Sequence, residues 1–116
     1  MISNLAYVHP DAQLEGNVNV EPFAYIAGNV VIGEGTWLGP NATVMSGARI
    51  GENCRIFPSA VISALPQDLK FRGEETTAEI GDRTTTREGA TVNRGTAAVG
   101  KPVVGNACLL MAHSHT

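Results

Sequence analysis

The most constraining feature of this 116-residue sequence is an aliphatic side chain at every sixth position. The series is unbroken, and its members are Ile2, Val8, Leu14, Val20, Ile26, Ile32, Leu38, Val44, Ile50, Ile56 and Ile62. The fifth residue of each hexad is small, as at Ala6, Ala24 and Ala42. Such a period fits neither an α-helix nor the two-residue alternation of a long strand.

The period predicts short parallel strands joined by tight turns. Each strand supplies one large inward side chain, and each turn supplies one small one. Three hexads close a triangular coil, and successive coils stack at about 4.8 Å, the ordinary distance between strands. Gly, Asn and Pro then fall at the corners, where they are tolerated best. The sequence therefore predicts an all-β fold, a parallel β-helix, as a single domain over residues 1–116.

The repeat is interrupted after Ile62. Asp68 and Glu74 fill the next two aliphatic slots, and a dry core cannot accept unpaired carboxylates without a large cost. The pattern returns at Ile80, so we expect residues 63–79 to form a loop expelled from the coil. A second, smaller excursion is expected at residues 97–102. Insertions on one face of a solenoid commonly carry its function.

Composition limits the environment of the chain. Aromatic residues make up only 5% and the net charge is −3, so nothing indicates a general nucleic-acid footprint. No apolar run approaches the roughly 20 residues that cross a bilayer, and the first residues do not resemble a signal peptide. We therefore expect a cytoplasmic protein without membrane insertion.

The reactive side chains have structural interpretations. Cys54 and Cys108 fall at the small fifth position, which favours inert core thiols over a disulfide. His9 is interpreted as a residue that fixes a turn. His113 and His115 form a His-x-His pair, which leaves zinc open only if a neighbouring subunit supplies a third ligand. We expect neither a metal nor a cofactor.

The expelled loop carries a more specific pattern. QDLKFRGE at residues 67–74 and TVNRGT at residues 91–96 resemble the signature of UDP-N-acetylglucosamine O-acyltransferases. YVHP at residues 7–10 and LLM at residues 109–111 fit the same family in the same order. The hexads alone resemble the wider group of hexapeptide-repeat acyltransferases. Their coils are left-handed, against the usual right-handed rule, and the left-handed expectation for this chain comes from that resemblance.

The resemblance implies a homotrimeric enzyme of lipid A biosynthesis. In that family an (R)-3-hydroxyacyl group passes from acyl carrier protein to the 3-hydroxyl of UDP-N-acetylglucosamine, in clefts between neighbouring β-helices. A histidine acts as general base. The substrate-binding residues carried onto this sequence are Gln67, Asp68, Lys70, Asn93 and His115.

Each of these residues takes a role from the family. Asp68 would accept hydrogen bonds from sugar hydroxyls, and Lys70 would place a positive charge near the diphosphate or the thioester. Gln67 belongs to the same substrate-side loop. Asn93 stands where some members have histidine, and His115 matches the first histidine of the family's pair. Without the resemblance, Asp68 and Lys70 could equally be a solvated loop pair.

The family pattern continues past this chain. Its catalytic base falls two residues beyond Thr116, so no residue of the chain is assigned as catalytic. The further coils and the C-terminal helical segment of the family are absent, and we expect residues 1–116 alone to be inactive. Two alternatives remain open: a non-catalytic β-helix that assembles through an exposed terminal coil, and a zinc-dependent protein resembling carbonic anhydrases of this fold.

A basic group late in the chain has two interpretations. It can be a surface for the acidic acyl carrier protein, or an ordinary charged outer face balanced by nearby carboxylates. Its members are Arg83, Arg87, Arg94 and Lys101.

Overall fold

A computed structural model describes residues 1–64, 78–93, 103–106 and 108–112. Within these ranges all regular secondary structure is β, and each short strand contains the aliphatic position of one hexad. The strands are β1 (Tyr7–Val8), β2 (Gln13–Leu14), β3 (Asn19–Val20), β4 (Tyr25–Ile26), β5 (Val31–Ile32), β6 (Trp37–Leu38), β7 (Thr43–Val44), β8 (Ala48–Ile50), β9 (Arg55–Ile56), β10 (Val61–Ala64), β11 (Ala78–Ile80), β12 (Thr85–Thr86), β13 (Thr91–Asn93), β14 (Val103–Val104) and β15 (Leu109–Leu110). The described part contains no helix that is long and apolar enough to span a membrane.

The strands form three parallel five-stranded sheets, which are the three faces of one stack of coils. The first sheet contains β1, β4, β7, β10 and β13, the second contains β2, β5, β8, β11 and β14, and the third contains β3, β6, β9, β12 and β15. Tyr7 pairs with Tyr25, which is three hexads further along the chain. One turn therefore takes three hexads, and the predicted parallel β-helix is confirmed.

The interior is a continuous aliphatic column. Side chains at the first hexad position point inward from all three sheets, and those with no exposed surface are Ile26, Ile32, Leu38, Val44, Ile56, Ile62 and Val92. Each contributes about 1.5–3 kcal/mol on burial, so this column is the main stabilising element. Thr86 also occupies an aliphatic slot, where it is fully buried and its Oγ1 has no hydrogen-bond partner among the described residues.

From Asn17 onward, the fourth residue of each described hexad turns the corner with a positive φ. Asparagine and glycine fill most of these positions because they tolerate the left-handed region best. Phe23 (φ 68°) and Arg83 (φ 57°) are less suited to it. The residues concerned are Asn17, Phe23, Asn29, Gly35, Asn41, Gly47, Asn53, Ser59, Arg83 and Gly89.

A polar column follows the corner between the second and third sheets. Thr36 Oγ1, Cys54 Sγ and Thr84 Oγ1 each contact a glycine carbonyl of the next coil, at 2.8, 3.1 and 2.6 Å. Cys54 is fully buried, and this burial raises the pKa of its thiol. Cys108 is half-buried, and both cysteines are free. The predicted core position of Cys54 is confirmed, whereas Cys108 is only partly covered.

The bounds of the expelled loop are narrower than the predicted 63–79. β10 extends to Ala64 and β11 begins at Ala78, so both ends of the predicted loop belong to strands. Ile80 is the register partner of Ile50, so the regular coil resumes at β11 after the interruption. The interior of the loop, residues 65–77, lies outside the described residues. The predicted second excursion, 97–102, also lies outside them.

Candidate functional site

Both interruptions of the repeat occur at one corner of the triangle. The first follows β10 of the first sheet and ends where β11 resumes the second sheet, and the second follows β13 and ends at β14 in the same way. We call this edge the insertion corner, defined by Ser63, Ala64, Ala78 and Asn93. Ile80 still pairs with both of its neighbours in the inward column, so the core continues past each insertion.

The two insertions start side by side. The register between β10 and β13 shifts after Ile62, and Ala64 becomes the partner of Asn93. The first insertion also ends at this corner, because the Ala78 amide donates to the Gly47 carbonyl at 3.0 Å. Chain segments that are far apart in sequence therefore depart from adjacent backbone positions on one edge of the solenoid.

The predicted site residues fall unevenly on this geometry. Asn93 ends β13 at the insertion corner, and its backbone lies beside Ala64. Gln67, Asp68 and Lys70 follow Ala64 within six residues of sequence, but they lie outside the described residues. His115 also lies outside them. The structure thus brings Asn93 to the start of the segment that contains the first three, and leaves His115 without a placement.

His9 closes the same corner in the first coil. Its Nδ1 accepts a hydrogen bond from the Asp11 amide at 3.0 Å, so the neutral ring carries its proton on Nε2. The ring packs over Gly28, where an added Cβ would lie 3.1 Å from Nδ1. These contacts confirm that His9 fixes a turn.

A shallow concavity of about 440 Å³ runs along the outer face of the second sheet. Arg49 and Glu79 line it, together with the half-buried Gly51 and Gly81. The Arg49 guanidinium donates to the carbonyl oxygen and the Oδ1 of Asn29, at 2.8 and 2.7 Å. This arginine is therefore anchored to the coil below, beside the insertion corner, and places a positive charge at the side of the concavity.

A cluster of aromatic and cationic side chains covers the outer face of the third sheet. Trp37 and Phe57 meet edge to face with centroids 5.4 Å apart. Arg55 lies 5.4 Å and Arg87 4.4 Å from the Phe57 ring, and Arg87 also pairs with Glu88 at 3.0 Å. Contacts of this type contribute about 0.5–1 kcal/mol each at exposed sites. Sequence reasoning missed the cluster, although the spacing of Trp37 and Arg55 by one regular coil was a usable signal.

The two described members of the predicted basic group do not lie together. Arg83 lies at the corner before β12 and Arg87 at the corner after it, so the two point from different edges of the triangle. Arg87 is engaged with Phe57 and Glu88. Arg94 and Lys101 lie outside the described residues.

No group of three His, Cys, Asp or Glu side chains that could hold a metal ion occurs in the described ranges. His113 and His115 are outside those ranges, so the zinc alternative stays a prediction.

Comparison with known proteins first identifies the class. The model for bacterial transferase hexapeptide (six repeats) matches residues 29–64, which lie within the regular coils described above. The fold and this match define a hexapeptide-repeat parallel β-helix.

The sequence relatives are more specific. The chain is 57% identical over 60 residues to an acyl-[acyl-carrier-protein]–UDP-N-acetylglucosamine O-acyltransferase of Chlorobaculum parvum, a match that covers 52% of this chain and 23% of that protein. It is 52% identical over 61 residues to the enzyme of the same name from an Anaeromyxobacter species, with 52% and 24% covered.

Solved structures extend the likeness over the whole chain. The UDP-N-acetylglucosamine acyltransferase of Bacteroides fragilis is 56% identical with a TM-score of 0.97, over 100% of this chain and 46% of that one. The Francisella novicida enzyme is 40% identical with a TM-score of 0.95, over 99% and 42%. The chain is similar over its whole length to part of these UDP-N-acetylglucosamine acyltransferases, and its β-helix is left-handed as predicted. It spans less than half the length of these relatives.

Proposed function

We propose that this chain contributes to the transfer of an (R)-3-hydroxyacyl group from acyl carrier protein to the 3-hydroxyl of UDP-N-acetylglucosamine, the first step of lipid A synthesis. The observation that carries the proposal is the likeness to the Bacteroides fragilis acyltransferase, which covers the whole chain at 56% identity. The insertion corner adds support, because the two segments with family-like sequences leave the coil at neighbouring backbone positions.

The proposed reaction is a nucleophilic acyl substitution. A histidine two residues past Thr116 removes the proton of the sugar 3-hydroxyl as that oxygen attacks the thioester carbon. A C–O bond forms and the C–S bond breaks, the carrier sulfur leaves with the electron pair as a thiolate, and the imidazolium returns the proton to give the free thiol. Imidazole suits this role because its pKa lies near neutral pH.

The substrate contacts are proposed at the insertion corner and the segment that leaves it. Asp68 accepts hydrogen bonds from sugar hydroxyls, Gln67 adds an amide contact, and Lys70 stabilises negative charge on the diphosphate or the developing oxyanion. Asn93 contributes an uncharged hydrogen-bonding group from the neighbouring strand. His115 is an auxiliary contact.

We further propose a cytoplasmic homotrimer with its active sites in clefts between neighbouring β-helices. The first sheet offers an apolar surface that a neighbouring subunit can cover. Tyr7 and Tyr25 stack with centroids 5.1 Å apart and remain 48% and 44% exposed. Phe23, at the corner before β4, is 63% exposed. Exposed apolar patches of this kind commonly mark interaction surfaces.

Acyl transfer tests the proposal directly. The chain continued through the proposed histidine and the following coils is incubated with (R)-3-hydroxyacyl carrier protein and UDP-N-acetylglucosamine, and product formation is followed. Residues 1–116 are the negative control, because the proposed base lies outside them. We expect Lys70→Ala and Asp68→Asn to lower kcat/KM about tenfold or more, since a hydrogen bond to a charged group contributes about 1.5–3 kcal/mol.

The matched control is Asp11→Asn, which changes an exposed carboxylate in the first coil. It should leave kcat/KM unchanged. Absence of transfer by the extended chain would contradict the proposed function. Full activity of both Lys70→Ala and Asp68→Asn would contradict the assignment of this segment to the substrate.

A further inference from the structure

Ser63 is the one residue in the described part of the chain whose positive φ does not belong to the repeat. Every other residue with positive φ in that part occupies the fourth position of a hexad, where the regular corners from Asn17 onward share this conformation. Ser63 has φ 66° at the second position, directly after Ile62. Ala27 and Met45 hold the same place in the two preceding coils, and neither has a positive φ. The left-handed turn at Ser63 is therefore an addition to the fold.

The hydroxyl of Ser63 is fully buried and holds this turn against the coil below. Its Oγ donates to the Ser46 carbonyl at 2.7 Å. A buried hydroxyl normally has such a partner, because an unpaired one is costly. The next residue of the lower coil, Gly47, accepts the hydrogen bond from the Ala78 amide at 3.0 Å. The two ends of the insertion are thus fixed to consecutive residues of one corner.

The turn also sets the register of the departing chain. Ser63 is the extra residue of the bulge in β10, and after it Ala64 is aligned with Asn93. A bulge of this kind redirects a strand and re-aims the residues that follow it. Without it, the chain would continue into the second sheet along the path that Met45 takes one coil below.

From these observations we propose that Ser63 is a positioning residue. Its left-handed turn and its hydrogen bond to Ser46 fix where the chain leaves β10 beside Asn93, and so where the segment with the proposed substrate residues begins. The inference rests on the proposed function for its catalytic consequence. Ser63 itself contacts protein groups only, so it acts through the residues that follow Ala64. It is not a catalytic residue.

The test compares two serines that share a backbone conformation. Ser63→Ala removes the buried hydrogen bond and keeps the Cβ at φ 66°. Ser59→Ala truncates an exposed serine at φ 65° in an ordinary corner, so it makes the same substitution without removing a buried hydrogen bond. Thr36→Ala serves as a second control, since it removes a similar bond of 2.8 Å to the Gly51 carbonyl, at a corner without an insertion.

The first readout is amide hydrogen exchange on residues 1–116, which does not depend on activity. We expect Ser63→Ala to speed exchange at Ala64, Ala78 and Asn93 about tenfold or more relative to Phe57, whose amide donates to the Thr86 carbonyl at 2.8 Å at another corner. Neither control variant should do so. Unchanged exchange at these three amides, or an equal increase throughout the described chain, would overturn the inference.

The second readout is steady-state acyl transfer by the extended chain. We expect Ser63→Ala to raise KM for the sugar nucleotide and lower kcat, while Ser59→Ala and Thr36→Ala change neither. Faster local exchange with unchanged kinetic constants would refute the positioning role and leave the proposed function standing. No transfer by the unaltered extended chain would refute the proposed function and the positioning role that rests on it.

Discussion

Gly33 allows two coils to stack at their normal distance, and its replacement by alanine tests that packing. A Cβ at this position would lie 2.6 Å from the carbonyl carbon and 2.7 Å from the carbonyl oxygen of Gly51. Ordinary contact begins at 3.4 Å, so the two backbones would have to separate by about 0.8 Å. Both partners are backbone atoms, and no side-chain rotation can relieve the clash.

The cost follows from the hydrogen bonds that hold the coils together. Separation stretches the bond from the Gly33 amide to the Ile50 carbonyl, now 2.8 Å, and the bond from the Asn53 amide to the Glu34 carbonyl, now 2.9 Å, which join the same two coils. Two weakened bonds at about 0.5–1.5 kcal/mol each, with about 1–3 kcal/mol for overpacking, give a loss of roughly 3 kcal/mol. Tm should fall by roughly 10–20 °C for a domain of this size.

Thermal and urea unfolding of Gly33→Ala, followed by far-ultraviolet circular dichroism, measure this loss. Gly16→Ala is the matched control in the first coil, because nothing lies within 4 Å of the added Cβ. It should be neutral or stabilise by about 0.4–1 kcal/mol through the unfolded state. Gly105→Ala should have a small effect, since its Cβ would meet only Cys108 Sγ at 3.5 Å. A Gly33→Ala variant as stable as Gly16→Ala would refute the packing argument.

Three further predictions concern the core and the assembly. Thr86→Val should raise Tm, because it removes a buried hydroxyl that has no partner among the described residues. Thr84→Val should lower the free energy of unfolding by about 1–3 kcal/mol, because the glycine carbonyl to which Thr84 donates loses its partner. Melting curves of the two variants compare these effects, and equal shifts in Tm would contradict the reasoning. The raised pKa of Cys54 means that the folded chain binds the thiol proton more tightly than the unfolded chain, so this group's contribution is complete below the ordinary thiol pKa of 9.0 and is lost as pH rises above it. Unfolding titrations should therefore show a shallower alkaline loss of stability for Cys54→Ala than for the parent, and parallel curves would count against this. Light scattering should give three times the 12.2 kDa of one chain for the proposed trimer, whereas a mass that grows with concentration would favour the alternative of open-ended assembly.

The sequence could not show at which corner of the coil the site lies, because both insertions preserve the phase of the six-residue repeat. Each insertion lengthens the chain by whole hexads, so Ile80 and Val104 return to the aliphatic frame. The period alone therefore marks where the core pattern fails, at Asp68 and Glu74, without showing which corner the chain leaves. Strand pairing decides this, because Ala64 lies beside Asn93 only in the folded register.

The sequence by itself determined the architecture. A large side chain at every sixth position and a small one before it leave one arrangement that buries both, and residues such as Ile32 and Ala42 lie where this pattern predicts. Handedness did not follow from the pattern, because inward and outward positions are the same in coils of either hand, and it came from the family resemblance. Only the tertiary structure placed the left-handed turn of Ser63, the Phe57–Arg87 contact and the shared corner of the two insertions. These features depend on which residues meet one coil apart, and insertions of whole hexads conceal that spacing in the sequence.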